Sequence, residues 1–273
     1  MWANLAKVYA SNSFLREAAI IYSKLQPHRT HHLPLVIVLL KATASRADPV
    51  LGRALHAEAV KSANAHDRLV GTTLVSVYCK CGLLADARRV FDGMLDRNAV
   101  TCNAMLAGYA AAGDMVSAEA LFAGMGSRTP VTWATLIRGF AGKGDMAETR
   151  RWFEAMPLGM QNVVTWTVAV QAYVAAGDME TARELFNKMP ARNAFVWSSM
   201  VTGNFKAGNA DEAQAVFDKI PVRNLVNWNA LIAGYAKMGC CEKALEAFHS
   251  MLKDKIKPDE FTMAGVLSAC AQL

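Results

Sequence analysis

Residues 131–145 read VTWATLIRGFAGKGD, and residues 164–178 read VTWTVAVQAYVAAGD. The phrase returns as VTCNAMLAGYAAAGD at 100–114 and as VNWNALIAGYAKMGC at 226–240. A chain that repeats at a fixed period builds one small unit many times, so the period is read before anything else. A glycine recurs at Gly82, Gly113, Gly144, Gly177, Gly208 and Gly239, in steps of 31, 31, 33, 31 and 31 residues. Phe91, Phe122, Phe153, Phe186, Phe217 and Phe248 keep the same steps, and Trp133, Trp166, Trp197 and Trp228 stay in register with both. Three residue types in one phase define a repeat.

Each unit holds two helical patterns separated by the glycine. In the first, Trp228, Ile232 and Tyr235 stand at i, i+4 and i+7, one face of a helix. In the second, Ala118, Leu121, Phe122 and Met125 do the same, and the face returns as Ala182, Leu185, Phe186, Met189 and as Ala213, Val216, Phe217, Ile220. Gly113, Gly144, Gly177 and Gly208 can take the left-handed conformation that closes a helix. Asp114, Asp145, Asp178 and Asn209 follow as N-caps. Asp145 with Glu148 and Asn209 with Glu212 have the spacing of reciprocal capping boxes. Second helices are predicted to stop near Met156-Pro157, Met189-Pro190 and Ile220-Pro221. One hairpin of this size cannot bury its own apolar stripe, whereas stacked hairpins can, so the expected fold is an all-α solenoid of helix-turn-helix units.

Composition is consistent with that reading. The chain is 53% hydrophobic and 19% charged, which excludes disorder. A net charge of +6 permits a polyanionic partner without requiring one. The longest apolar run, LPLVIVLL at 33–40, is far shorter than the ~20 residues that span a bilayer. Cys79, Cys81, Cys102, Cys240, Cys241 and Cys270 form no C-x-x-C pair and read as small apolar helix residues.

The four quoted segments, each followed by an A-x-x-L-F-x-x-M-P-x-R-N-like stretch, resemble pentatricopeptide repeats. The variable period resembles the plant subclass that mixes long and short units. On that resemblance the chain divides into units at 33–67, 68–98, 99–129, 130–162, 163–193, 194–224 and 225–259. Residues 1–32 and 260–273 resemble partial units, and the whole resembles a single right-handed superhelical solenoid. Tetratricopeptide repeats share the Ala, Phe and Pro landmarks but keep a steady period and an L-G pair that this chain lacks.

The resemblance implies single-stranded RNA as the partner, one base per repeat. Selection falls by resemblance to the fifth and last residues of each unit: Thr72 with Asn98, Asn103 with Thr129, Ala134 with Asn162, Thr167 with Asn193, Ser198 with Asn224, and Asn229 with Asp259. Apolar second residues, namely Leu69, Val100, Val131, Val164, Phe195 and Val226, would touch the base faces. Ionised Asp259 only accepts hydrogen bonds and suits uracil or guanine, whereas an asparagine can accept or donate and suits adenine or cytosine. A short Thr or Ser at the fifth position leaves room for a purine, and Asn reaches a pyrimidine. The implied target is 5′-A-Y-N-A-A-U-3′, with Y a pyrimidine and N any base opposite Ala134. Ile37 with Asp67, and Ala3 with His32, depart from the polar pattern.

Alternatives stand beside these expectations. The R-N endings Arg97-Asn98, Arg192-Asn193 and Arg223-Asn224 could be turn chemistry. Lys80, Lys206 and Lys237, near first-helix ends, resemble family lysines that approach phosphates, or else answer the helix dipole. The subclass implies a mitochondrial or chloroplast RNA-processing factor that specifies a C-to-U editing site and works with editing-complex proteins. The competing function is a protein-binding helical scaffold.

No enzyme, cofactor, metal or small-molecule substrate is expected. His56-Ala57-Glu58 spells the H-x-E of zinc deaminases, but the required P-C-x-x-C is missing, and His56 reads as a packing or surface residue. His31-His32 reads as a loop pair. No targeting peptide is expected at the start. Met1 falls within a first helix and Leu273 before a second, so the chain is expected to be part of a longer protein.

Overall fold

The computed structural model describes Tyr9, Glu17, Ala18, Ile20, Ile21, residues 33–61 and residues 67–272. The partial unit expected over 1–32, with Ala3 and His32, otherwise lies outside the described residues. These contain fifteen α-helices and no strand. Two compact units emerge, residues 1–139 and 140–273.

The first unit holds α1 (Leu33–Arg46), α2 (Pro49–Lys61), α3 (Arg68–Lys80), α4 (Leu84–Gly93), α5 (Ala99–Ala112), α6 (Met115–Gly124) and most of α7 (Pro130–Gly142). The second holds α8 (Met146–Glu154), α9 (Val163–Ala176), α10 (Met179–Lys188), α11 (Ala194–Lys206), α12 (Ala210–Asp218), α13 (Leu225–Lys237), α14 (Cys241–Lys253) and α15 (Glu260–Cys270). First helices pack on the next first helix: α1 on α3 and α3 on α5 in the first unit, then α9 on α11, α11 on α13 and α13 on α15 in the second. Second helices lean on their own first helix and on the following one, as α4 does on α3 and α5, and α10 on α9 and α11. Two layers result, and the apolar stripes meet between them.

A ring-on-ring joint recurs between repeats. Phe186 of α10 meets the edge of Trp197 of α11 at 4.7 Å and 76°, and Phe217 of α12 meets Trp228 of α13 at 4.7 Å. Such edge-on pairs add about 0.5–1.5 kcal/mol to the burial of both rings. An arginine covers four of the phenylalanines. The guanidinium carbons of Arg97, Arg128, Arg192 and Arg223 lie 4.7–4.9 Å from the ring centres of Phe91, Phe122, Phe186 and Phe217. Arg192 Nε also donates to Phe186 O at 3.0 Å, and its Nη2 to Asn187 O at 3.0 Å, filling acceptors the helix end leaves open.

Gly113 and Gly177 close their helices with φ of 74° and 81°, in the left-handed region that favours glycine. Asp114, Asp145 and Asp178 accept from the backbone N–H three residues on, as expected of N-caps. The two capping boxes expected at second helices do not form. Glu148 pairs with Arg151, and Asn209 makes no side-chain cap while Glu212 faces Arg183. The boxes appear instead at first helices, as Asn162 with Thr165, Asn224 with Asn227 and Asp259 with Thr262.

Gly234 shows how closely first helices approach. A Cβ there would lie 2.1 Å from Cδ2 of Phe205, whose ring is held edge-on by Tyr235 at 5.0 Å. Alanine ordinarily gains about 1 kcal/mol over glycine within a helix. Here the overlap wins, and Gly234→Ala is expected to lose about 1–3 kcal/mol, read from the urea midpoint.

Candidate nucleic-acid interface

The second residue of each repeat from 68 onward sits in the first turn of its first helix and keeps much of its surface open to solvent. Leu69, Val100, Val131, Val164, Phe195 and Val226 are 40–62% exposed. A polar residue could stand at such a place at no cost, so repeated apolar choice there points to a ligand surface. Phe261 has the same register on α15 and is 77% exposed. It escaped the sequence reading because the unit at 260–273 is incomplete, although Glu260-Phe261 already stood in phase.

The fifth residues lie one turn on, at the seam between successive first helices. Thr72, Asn103 and Asn229 are half-buried, whereas Ala134, Thr167 and Ser198 are buried. Two of the expected pairs touch directly. Asn103 Nδ2 donates to Thr129 Oγ1 at 3.3 Å, and Asn229 Nδ2 donates to Asp259 Oδ1 at 3.0 Å. Thr72 reaches Asn98 through Thr101, whose hydroxyl lies 2.7 Å from that of Thr72 and donates to Asn98 Oδ1 at 3.1 Å. Ser198 reaches Asn224 through Asn227. Thr167 is not brought to Asn193; its hydroxyl donates to Val163 O at 2.6 Å.

The last residues also have a local duty. Asn98, Asn162, Asn193, Asn224 and Asp259 each N-cap the following first helix through a side-chain oxygen. That oxygen accepts the cap bond, and the amide N–H groups of each closing asparagine remain beside it as donors. The Thr262 backbone N–H, with the Thr262 hydroxyl and the Asn229 amide, holds Asp259 below the usual carboxylate range. It stays ionised near neutral pH and accepts only.

Lys80, Lys206 and Lys237 end α3, α11 and α13 and are exposed. On the second unit a recess of about 300 Å³ is lined by Phe195, Ser198, Ser199, Lys206 and Gln171. It gathers a second residue, a fifth residue and a helix-end lysine at one place. A larger recess of about 700 Å³ lies near α2 and α4, lined by Arg53, His56, Tyr78 and Asp86. There His56 Nδ1 sits 2.9 Å from Tyr78 OH, and burial lowers its pKa. The six cysteines are free thiols, and burial pushes Cys79 up to about 11. No helix is long and apolar enough to cross a membrane among the described residues.

Similarity to known proteins follows the same register. The PPR repeat pattern matches residues 72–98, 100–128, 131–158, 164–193 and 195–225, and the PPR repeat family pattern matches 223–272. A pentatricopeptide repeat-containing protein of Arabidopsis thaliana is 43% identical over 272 residues, 99% of this chain and 52% of that protein. Another from that plant, named mitochondrial, is 31% identical over 108 residues, 38% of this chain and 16% of its own length. A third, named chloroplastic, is 42% identical over 72 residues, 26% of this chain and 12% of its own. The chain thus spans about half the length of the first relative and far less of the others. The crystal structure of the maize pentatricopeptide repeat protein PPR10 superposes with a TM-score of 0.66 at 15% identity, over 98% of this chain and 40% of that one. Its complex with an 18-nt psaJ RNA element gives 0.69 at 16% identity, over 100% and 43%. With matched repeats over more than half its length, the chain belongs to the pentatricopeptide repeat family.

Proposed function

We propose that this chain binds single-stranded RNA along the exposed first turns of its first helices, one base per repeat. The observation that carries the reading is the row of exposed apolar second residues, each one turn from a fifth residue. A base laid on Val164 or Phe195 covers apolar surface on its face while its edge meets the seam. The polar groups there are sorted by chemistry. Hydroxyls of Thr167 and Ser198 give their hydrogen to backbone carbonyls and present acceptor lone pairs. Asn103 and Asn229 each direct one amide N–H to the closing residue and have a second to offer. Asp259 accepts, which suits the ring N–H of uracil. The units at 68–98 through 225–259 on this reading select 5′-A-Y-N-A-A-U-3′.

The mixed 31-, 33- and 35-residue units and the organellar names of two relatives support membership of the long-and-short subclass. The two names also support a role in mitochondria or chloroplasts, and the subclass resemblance adds the proposal of a site-specifying factor for C-to-U editing. Fluorescence anisotropy with an oligonucleotide carrying this hexamer and with its complement tests the base reading. The expected result is at least tenfold tighter binding of the hexamer, from about 1.4 kcal/mol of discrimination. Equal affinity ends base-by-base recognition. Failure to bind any RNA favours the protein-scaffold alternative.

A further inference from the structure

The third residue of each first helix is unassigned in the reading above, yet it lies at the centre of the seam. Thr101, Thr132, Asn227 and Thr262 are all buried polar side chains. Each bridges the fifth residue of the repeat before it to the closing residue between them. Thr132 Oγ1 donates to Asn103 Oδ1 at 2.7 Å and accepts from the Thr129 backbone N–H at 3.0 Å. Asn227 Nδ2 donates to Ser198 Oγ at 2.8 Å, and its Oδ1 accepts from the Asn224 backbone N–H at 3.2 Å. Thr262 Oγ1 lies 2.6 Å from Asn229 Oδ1 and accepts from the Asp259 backbone N–H at 3.2 Å. Because a carboxylate only accepts, Asn229 must turn its Nδ2 toward Asp259, leaving Oδ1 for the Thr262 hydroxyl. The amide therefore has one orientation.

The pattern has an informative exception. The third residue after Thr167 is Val196, whose side chain is fully buried and cannot hydrogen-bond, and Thr167 is the polar fifth residue that does not reach its closing partner. Two fifth residues are apolar: Ile37 is followed by the apolar third residue Val70, whereas Ala134 is followed by Thr165, whose hydroxyl accepts from the Asn162 backbone N–H and donates to Asn162 O, both at 2.9 Å.

We propose that the third residue of a repeat is a positioning residue for base selection by the repeat before it, orienting both selecting side chains without touching the base. This rests on the RNA reading above. Asn103 held by Thr132 selects sharply, and Thr167 beside Val196 selects weakly.

The test uses the full chain and a panel of hexamers changed one base at a time. Thr132→Val removes the hydroxyl at nearly constant shape. Expected is a loss of about fivefold in discrimination at the base facing unit 99–129, on the scale of one hydrogen bond, with other positions unchanged. Thr132→Ser restores it. Val196→Thr supplies the missing hydroxyl and is expected to gain about threefold at the base facing unit 163–193. It also guards against a Thr132→Val chain that fails to fold. Faster exchange of the Asn103 side-chain amide protons in Thr132→Val, measured without RNA, reports the orientation directly. A wild-type chain that discriminates while both variants leave their own positions unchanged overturns the positioning role alone. A uniform loss across all positions does the same. A wild-type chain with no discrimination anywhere removes the RNA reading and this proposal with it.

Discussion

Replacing Val100, Val131, Val164 and Phe195 together by serine is expected to weaken RNA binding on the order of 100-fold or more and to leave the folded chain as stable as before. The two halves of that outcome have one cause. These side chains are 56–62% exposed, so folding removes little of their surface from water and their truncation opens no cavity. A base stacked on an aromatic side chain contributes about 1–3 kcal/mol, and valines, which have no π face, belong at or below the low end of that range. Four contacts at somewhat under 1 kcal/mol each give the stated loss. Anisotropy titration measures the first half and thermal melting the second. A variant that binds as tightly as the parent would show that bases do not lie on this row. A variant that melts far lower would show that the row belongs to the core.

Phe217→Ala has the opposite signature. Phe217 is fully buried, edge-on to Trp228 at 4.7 Å and capped by the Arg223 guanidinium. Removing a ring from such a place costs about 3–5 kcal/mol. In a stack the loss falls on one joint, because each repeat couples only to its neighbours. The expected result is a lower denaturation midpoint and a split or broadened transition as the repeats on either side of the joint melt apart. Calorimetry and urea titration by tryptophan fluorescence check it. A shift below 1 kcal/mol would mean the joint carries little of the coupling.

The sequence made some of this legible and hid the rest for identifiable reasons. Periodic Gly, Phe and Trp announced the helical pairs because each performs one job at one place: left-handed closure, joint ring and joint partner. The second-position row was legible as well, since apolar residues before the Trp–Ile–Tyr face fall off the buried stripe. The third position was not. Thr101 and Thr132 sit on the inward face, where a threonine reads as a small β-branched core residue, and their partners are 29 residues away. Capping-box spacing misdirected attention to Asp145–Glu148, because sequence spacing takes no account of Arg151 competing for Glu148. The R-N endings carry two roles at once. The arginine stacks and caps the helix behind, while the asparagine caps the helix ahead and keeps an amide for other use.

The two additional residues in 130–162 have a consequence for how such a chain changes over time. They are housed in a short 3-10 turn, Leu158–Met160, ahead of Asn162. Phe153 and Trp166, thirteen positions apart, meet at 4.9 Å and 78°, as do Phe122 and Trp133, eleven apart. Length variation is thereby quarantined in a surface connector, and the mating geometry downstream is indifferent to it. Insertions at Leu158–Met160 can accumulate, or carry a fused label, without shifting the phase in which later modules present themselves.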